Sequence, residues 1–591
     1  MQKILGLIAI TTFIAYPVLA NQPFNVVFPR TNHRTTSEKI FILGTAPPTG
    51  NVLINGKPIQ RSSAGHFAPS FPLELGDNIF TLRYENQQRQ IKVTRLSKFP
   101  TPPTGLAFAK DSLMPSVNMA TMPGELICFS AIAPPNATVA VKLGDRTFPL
   151  MPQSSIVDLP PNSAALTGEF QSTSQPFSGK YEGCATANSP GDLGRPEFQL
   201  TLNGRTISQI SQGKVEILSP AQLQIAEVIA DGGVARSGPS SDHSRLTPLP
   251  KGTQATITGR EGEWVRLDYG AWIKSEEIRV LPGSVPPRSI IRSVRSRQIP
   301  GATEVIFPLQ VPVPVSVQQG DRTFTLTLYN TTAQTDTIRL DDNPIISRLD
   351  WQQTAPGQVQ YTFNLKSAQQ WGYQLKYDGP NLVLTLRHPP NSSSTGGMKG
   401  EADKPLSGIK ILLDPGHGGT EPGATGPTGY LEKDANLAIS KLLRDRLISQ
   451  GATVYMTRED DRFLSLPERV AIIDKLQPTV AFSIHYNSLP DNGDAENTKG
   501  FSAFWYNTQA HSLAMFLHNY IVEKRGYPSY GVYWNNLALT RPTSAPSVLL
   551  ELGFMSNPDE FESVTNPQDR QKMADAIANG ITEWFMAINR I

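Results

Sequence analysis

Cysteine is scarce in this chain of 591 residues, which contains only Cys128 and Cys184. Both lie far upstream of the last third of the chain, so a metal site there has to use nitrogen and oxygen ligands. In an oxidising compartment the two cysteines could form a disulfide. The sequence does not supply their pairing geometry, so a disulfide and two free thiols are equally open.

Net charge and long apolar runs are scarce as well. The formal net charge is only +2, and no long run of Lys and Arg occurs. The charge of the chain therefore gives no indication of a nucleic-acid partner. Hydrophobic residues make up 39% of the chain and charged residues 18%, so folded cores are expected rather than disorder. The length predicts roughly three to five domains.

The N-terminus has the pattern of a secretory signal over residues 1–20. Lys3 precedes an apolar run, and Val18 and Ala20 occupy the small-residue positions of a cleavage site. A retained anchor is the less favoured alternative, because the run is shorter than the ~20 apolar residues of a spanning helix. We therefore expect an exported protein, periplasmic or associated with the cell wall, with no transmembrane segment in the mature chain.

Two blocks of short β-type runs follow, residues 21–97 and 98–218, and each predicts an all-β domain. Pro-Pro, Asn-Gly and Leu-Gly-Asp turn signals separate the runs, and a β-sandwich fits the first block best. Strands are expected at 39–43, 52–54, 78–84, 125–131, 138–143 and 197–202. Neither block holds a cluster of His, Asp and Glu, so each is expected to be a spacer or a binding module.

Residues 222–282 resemble bacterial SH3-like modules. The motifs that carry the resemblance are an Arg-Ser-Gly-Pro turn at 236–239, a Pro-Lys-Gly-Thr turn at 250–253, the Trp264–Val265 strand and a closing Gly-x-Trp strand at 270–272. The resemblance implies a small barrel that binds wall or peptide. For Trp264 and Trp272 individually, core packing is favoured over ligand contact.

Residues 288–388 are β-rich and resemble an AMIN-type domain, through EVIFPLQVPVPVSVQQ, TDTIRLDDNP and QQWGYQLKY. The resemblance implies a role in localising a wall amidase. Residues 389–405 are rich in Pro, Ser and Gly, which predicts a flexible linker. We expect this linker to separate the upstream domains, which would bind, from a complete C-terminal domain that carries the activity.

Residues 406–591 change to apolar strands that alternate with helical segments. This alternation predicts an α/β domain with a largely parallel sheet. Strands are expected at 410–413, 453–456, 480–484, 502–505 and 547–550, and a last helix at 567–587. The fold class is therefore multidomain, with several small all-β domains followed by a C-terminal α/β domain with a largely parallel sheet.

Residues that can bind a metal or transfer a proton follow the ends of three of these strands. His417 lies just after the first, His485 ends VAFSI, Glu551 ends SVLL, and Glu432 stands at the entrance of the first helix. Because active sites of open α/β sheets lie at the carboxyl ends of strands, the four should converge. Two imidazoles and a carboxylate suit a catalytic Zn²⁺, and a second carboxylate can accept a proton from water.

The C-terminal domain resembles the zinc-dependent N-acetylmuramoyl-L-alanine amidases across its whole length. The motifs are DPGHGG, YLEKDANLAI, MTRED, LPERV, SIHYNS and LLELGFMSNPDE, in order and spacing. The resemblance implies that His417, Glu432 and His485 are the zinc ligands and Glu551 the catalytic carboxylate. It also implies that the substrate is peptidoglycan, cut between N-acetylmuramic acid and L-alanine. A protein activator or a divisome partner is possible, but the sequence does not identify one.

Two other functions stay open. The same zinc chemistry could cut a peptide bond within the stem peptide, because ligand identity does not choose the amide. A non-catalytic wall-binding or activator protein is less favoured, because all four site positions hold competent residues.

Two further expectations concern the surroundings of the site. Arg458, Arg469 and Arg541 could hold substrate carboxylates, although ion pairing is favoured, with acidic neighbours at 460, 461 and 468 as partners for the first two. The loop at 489–499 looks too short for a helix that blocks the site.

Overall fold

The computed structural model describes residues 23–168, 171–281, 285–390 and 404–588. The predicted signal at 1–20 and residues 391–403 of the predicted linker lie outside these ranges. Within the ranges, no helix combines the length and apolar character needed to cross a membrane.

The first β-region packs around Phe24, Ile40, Phe67 and Leu82, all buried. Its strands form a three-stranded sheet, a five-stranded sheet and a two-stranded pair. They are β1 Asn25–Phe28, β2 His33–Thr35, β3 Lys39–Phe41, β4 Leu43–Thr45, β5 Val52–Ile54, β6 Lys57–Pro58, β7 His66–Phe67, β8 Ser70–Pro72, β9 Gly76–Tyr84 and β10 Gln87–Arg95.

The second β-region contains a six-stranded antiparallel sheet that carries the disulfide. Cys128 and Cys184 are register partners on neighbouring strands and are bonded, which settles the open question of their pairing. The elements are β11 Met119–Thr121, β12 Leu126–Ile132, β13 Thr138–Leu143, β14 Arg146–Asp158, α1 Ala164–Thr167, β15 Thr173–Thr186, β16 Gly191–Gly194, β17 Glu197–Leu202, β18 Arg205–Ile210 and β19 Val215–Ile217.

The SH3-like module shares a sheet with the second β-region. Strands β16, β19 and β11 of that region continue into the module through a pairing of β11 with β23. The module consists of β20 Ile225–Val228, β21 Gly232–Gly233, β22 Leu249–Pro250, β23 Gln254–Glu261, β24 Trp264–Leu267, β25 Trp272–Lys274, the 3₁₀ turn Ser275–Glu277 and β26 Ile278–Leu281.

The fourth β-region forms two sheets around a core that includes Phe307, Phe324 and Tyr361. Inward residues alternate with outward ones along β33, as expected of a strand with one buried face. Its strands are β27 Ser289–Ile299, β28 Ala302–Phe307, β29 Val315–Gln319, β30 Thr323–Tyr329, β31 Thr331–Arg339, β32 Ile346–Ala355, β33 Gln358–Leu365, β34 Tyr373–Asp378 and β35 Asn381–Arg387.

The C-terminal domain is a six-stranded mixed sheet in the order β37-β36-β38-β41-β39-β40, with helices α2, α4 and α6 packed onto it or onto one another. The elements are β36 Lys410–Pro415, α2 Glu432–Ser449, β37 Thr453–Met456, α3 Leu466–Leu476, β38 Val480–Asn487, β39 Phe501–Trp505, the 3₁₀ turn Thr508–Ala510, α4 His511–Arg525, β40 Ser529–Trp534, β41 Ser547–Phe554, α5 Pro558–Thr565 and α6 Pro567–Ile588.

This sheet confirms the predicted α/β fold with a largely parallel sheet. Four neighbouring strands run parallel to one another, namely β37, β36, β38 and β41. Strand β39 is antiparallel to β41. Central strand β38 is buried along nearly its whole length, because α2 packs on one face and Ile473 of α3 packs with Ala481 on the other. The carboxyl ends of β36, β38 and β41 therefore meet at one edge.

The C-terminal domain packs against the fourth β-region, a contact that the composition of the linker did not predict. Trp371 of the fourth β-region is buried in the C-terminal core, where its ring packs 5.8 Å from Trp584 and 6.1 Å from Phe585. Arg387 donates hydrogen bonds to the carbonyl oxygens of Pro478 and Ser544, both at 2.7 Å. Linker composition predicts flexibility of the linker itself and says nothing about docking of the domains that it joins.

Candidate metal centre

Three predicted ligands meet at the carboxyl edge of the sheet. His417 lies in the turn after β36, Glu432 begins α2 and His485 lies near the end of β38. One ligand atom of each lies within 4.8 Å of the others, and no second such group of three occurs in the described ranges. The Glu432 carboxylate bridges the imidazoles, with Oε2 3.3 Å from His417 Nε2 and Oε1 3.0 Å from His485 Nδ1.

The charges of this group favour a bound cation. Glu432 is buried, which opposes its ionisation, but hydrogen bonds from His417 and His485 outweigh burial and hold its pKa below the ordinary value. Burial lowers the pKa of His417, yet the bond to Glu432 outweighs burial and raises it overall. An ionised carboxylate therefore lies between two imidazoles at ordinary pH.

Glu551 lies beside this group, on the adjacent strand. It is the register partner of His485 in the parallel pair of β38 and β41, so both side chains project to the same side of the sheet. Its Oε2 is closed to solvent and has no hydrogen-bond partner among the described residues. Burial, and secondly the charge of Glu432, raise the pKa of Glu551 well above its ordinary value.

An ion pair inside the domain holds the turn that carries His417. Arg469 donates to Asp414 Oδ1 and to the His417 carbonyl oxygen, both at 2.6 Å. Asp414 also accepts hydrogen bonds from Thr457 (2.6 Å) and Ser483 (2.7 Å). His417 has a left-handed backbone with φ of 59°, and the bond to its carbonyl helps to hold this uncommon conformation.

Arg458 is fully buried and donates to the carbonyl oxygens of Pro415, Gly416 and Lys433. Arg458 and Arg469 are thus occupied inside the protein and do not face substrate. The expected ion pairing is confirmed for Arg469, but its partner is Asp414 of β36 rather than its sequence neighbour Glu468. Arg458 donates to the Asp460 carbonyl oxygen, and the charge of Asp461 acts on it.

Gly416 fits the turn because the ring of His485 leaves no room for a side chain. A Cβ at this position would lie 2.1 Å from His485 Cε1. The small residue thus lets the two histidine-bearing segments approach each other.

The residues present fit a divalent metal of the zinc type. Two imidazoles and an ionised carboxylate form a donor set that Zn²⁺ favours, and three protein ligands leave a position for a water or a substrate atom. Buried polar atoms normally have a hydrogen-bond partner, so the unpartnered Oε2 of Glu551 indicates an acceptor whose partner is a bound molecule rather than a residue of the chain.

Comparisons with known proteins agree with this geometry. Residues 411–583 match the family described as N-acetylmuramoyl-L-alanine amidase, and residues 232–279 match the bacterial SH3 domain. The C-terminal domain belongs to the N-acetylmuramoyl-L-alanine amidase family. The SH3-like and amidase resemblances noted in the sequence are thereby confirmed, whereas the AMIN-type resemblance of 288–388 stays a prediction.

The similar proteins include cell-wall amidases from several bacteria. The chain is 35% identical over 186 residues to the probable cell wall amidase LytH of Staphylococcus epidermidis, covering 31% of this chain and 61% of that protein. Against the Staphylococcus aureus protein of the same name the identity is 37% over 185 residues, covering 31% and 60%. The chain thus spans about three fifths of the length of these curated relatives.

A solved structure, N-acetylmuramoyl-L-alanine amidase AmiC2 of Nostoc punctiforme, is 31% identical. The match covers 30% of this chain and 99% of that one, with a TM-score of 0.29.

The amidase domain contains a site neighbour that the sequence reasoning missed. Asn436 is fully buried and its side-chain amide donates to Glu432 Oε1 (3.1 Å) and to the Gly416 carbonyl oxygen (3.2 Å). Its position one helical turn after Glu432 could have identified it, because residues four apart on a helix are neighbours. The Ala424 N–H donates to the other oxygen of Glu432 at 2.8 Å.

The loop at 489–499 contains no helix, as its length predicted. No helical segment of this loop is therefore available to cover the site.

Proposed function

We propose that this protein is an exported peptidoglycan hydrolase that cuts the amide between the lactyl group of N-acetylmuramic acid and L-alanine. The observation that carries the proposal is the cluster of His417, Glu432 and His485 beside the unpartnered Glu551, in a domain of the amidase family. The cell-wall amidases to which the chain is similar support the substrate class and a location at the wall.

In this proposal His417, Glu432 and His485 hold a zinc ion. Bound zinc supplies a Lewis acid that polarises the scissile carbonyl and acidifies water. The ionised Glu432 provides the negative charge that a dication needs, and Asn436 fixes the carboxylate through its bond to Oε1.

Glu551 is the proposed general base. Burial and the charge of Glu432 raise the pKa of Glu551, which makes the carboxylate a stronger proton acceptor. Its free Oε2 would take a proton from the attacking water and pass it to the nitrogen of the leaving amine. Arg469 and Asp414 keep the His417 turn in place during this exchange.

A digestion of purified sacculi by the full chain, with and without a chelator, tests the proposal. Mass analysis should find new L-alanine amino termini only in the sample without chelator. Release of D-alanine, or new ends within the stem peptide, would make the protein a peptidase. An absence of any product would leave a wall-binding protein.

A further inference from the structure

Three arginines meet where the SH3-like module contacts the amidase domain. Arg236 and Arg245 are antiparallel bridge partners within the module. The Tyr506 hydroxyl of the amidase domain donates to the Arg245 carbonyl oxygen at 3.5 Å. Arg541 lies alongside, because Asn507 donates its side-chain amide to the Arg541 carbonyl oxygen at 2.9 Å. We call Arg236, Arg245 and Arg541 the arginine cluster.

The positive charge of the arginine cluster lacks matching carboxylates. The Arg245 guanidinium has no hydrogen bond or ion pair in the part of the chain that the structure describes. Arg236 and Arg541 donate to backbone carbonyl oxygens of their own loops rather than to carboxylates. Glu277 is the carboxylate whose charge acts on Arg245, and its Oε2 also accepts the Val234 N–H. The structure thus shows one carboxylate, Glu277, acting on the cluster, and it acts on Arg245.

Burial makes this imbalance more costly. Burial, together with the charges of Arg245 and Arg236, lowers the pKa of Arg541 to about 10. Burial and the charge of Arg236 also lower the pKa of Arg245. The groups stay protonated at neutral pH, so their mutual repulsion persists until an anion relieves it.

An exposed aromatic ring borders the arginine cluster. Trp534 is 60% exposed, packs with its ring 5.1 Å from that of Tyr506 and donates its indole N–H to the Tyr506 carbonyl oxygen at 3.0 Å. The site thus offers a fixed apolar face next to several unused N–H donors. This combination suits a ligand that carries an anionic group beside a flat or ring-shaped apolar face.

The arginine cluster is remote from the metal centre along the sheet. Ser502 of β39 is the register partner of Glu551. Because β39 is antiparallel to β41, it runs from there away from the edge of the sheet that carries the metal centre. Trp505 lies three residues further, roughly 10 Å along the strand, and Tyr506 follows it. A ligand at the cluster would therefore bind without occupying the metal centre.

We propose that the arginine cluster and Trp534 form a second binding site for a carboxylate-bearing wall polymer. The guanidinium groups would bind carboxylates of peptidoglycan stem peptides, and the indole would pack against the adjoining chain. The identity of the polymer rests on the proposed function, whereas the affinity for an anion rests on the charges of the cluster.

Co-sedimentation of the full chain with sacculi tests this site, with Glu551→Gln in every sample so that the sacculi stay intact. Arg245→Gln and Arg541→Gln should each weaken binding about tenfold, because each removes charge-assisted hydrogen bonds. Arg245→Lys, which keeps the charge, should lose less. The matched control is Arg205→Gln, an exposed arginine of the second β-region, which should bind as the parent does.

Two treatments of the sacculi identify the anion. Amidation of the stem carboxylates should weaken parent binding to the level of the Arg245→Gln variant, whereas removal of phosphate polymers should leave it unchanged. The proposal is overturned if both arginine variants bind normally, if amidation has no effect, or if phosphate removal abolishes binding.

Activity is measured separately, on soluble muropeptides with Glu551 restored. Arg245→Gln should keep parent turnover. An inactive parent that still shows the arginine-dependent binding would refute the proposed function and leave the binding site standing.

Discussion

His33 Nε2 lies 2.9 Å from Asp491 Oδ2, and this pair joins the first β-region to the loop that follows the proposed ligand His485. A second contact joins the same region to the segment after Glu551, since the Ser63 hydroxyl and the Ala64 N–H donate to Glu562 at 2.7 and 2.8 Å. The first β-region is therefore attached to the segments that follow two of the three strands ending at the edge of the sheet that carries the metal centre, β38 and β41.

The contact also has an apolar centre. Ala495 is fully buried and forms one cluster with Phe41, Leu43 and Ala68 of the first β-region. Apolar burial of this kind, rather than the part-buried contact of His33 with Asp491, is expected to dominate the docking energy.

Ala495→Asp should detach the first β-region from the loop at 489–499. The change places a carboxylate against Phe41 and Leu43, where it has no partner, so docking is lost while zinc content stays constant. Hydrogen exchange should then speed up in 39–45 and 489–499. The exposed Ala355→Asp is the matched control, and equal exchange in both variants would contradict the role of Ala495.

Glu551→Gln should lower turnover about 10²–10⁴-fold while zinc remains bound, because Gln keeps the volume but cannot accept a proton. His485→Ala should lose both zinc and activity, because it removes a metal ligand. Metal analysis of each purified variant beside its turnover number checks the two outcomes. Loss of zinc from Glu551→Gln would make Glu551 a ligand, and full activity would move the base elsewhere, with Glu432 the first candidate.

Arg469→Met should destabilise the amidase domain by about 3–5 kcal/mol, because it leaves the Asp414 charge buried without its ionic partner. It also removes the donor to the His417 carbonyl, so zinc affinity should fall by about 10–100-fold. Urea unfolding and zinc titration measure the two effects. The exposed pair of Arg339 and Asp341 supplies the control Arg339→Met, with an expected loss of at most about 1 kcal/mol. Similar losses in both variants would refute the buried role of Arg469.

Glu560 should make the stability of the amidase domain depend on pH. Burial raises its pKa to about 7, even though the N–H groups of Phe554 and Gly500 donate to the carboxylate and oppose the shift. The folded state therefore binds a proton more tightly than the unfolded chain. The stabilising contribution is complete below the unfolded pKa of about 4.5 and is lost as pH rises through about 7.

The difference between the parent and Glu560→Gln isolates this effect. From pH 4.5 to pH 8 the parent should lose up to about 3 kcal/mol more free energy of unfolding than the variant does. Urea unfolding at several pH values measures the two slopes. Parallel slopes would show that Glu560 does not titrate in this range.

Sequence alone determined the α/β fold of the amidase domain and the set of candidate site residues at the carboxyl edge of its sheet. The strands of this domain are short apolar runs between helices, and the rule that sites form at carboxyl strand ends requires no side-chain detail. His417, Glu432, His485 and Glu551 could be predicted because in the sequence each closely follows an apolar run or opens the first helix.

The tertiary structure decided the contacts between residues distant in the chain. The pairing of Arg469 with Asp414, the placement of Trp371 in the amidase core and the shared sheet of β11 and β23 each depend on which surfaces come together. Sequence periodicity reports which face of an element is apolar, but not which partner covers it. For that reason the sequence specified the residues of the candidate metal centre, whereas the docking of the upstream half became apparent only in the folded chain.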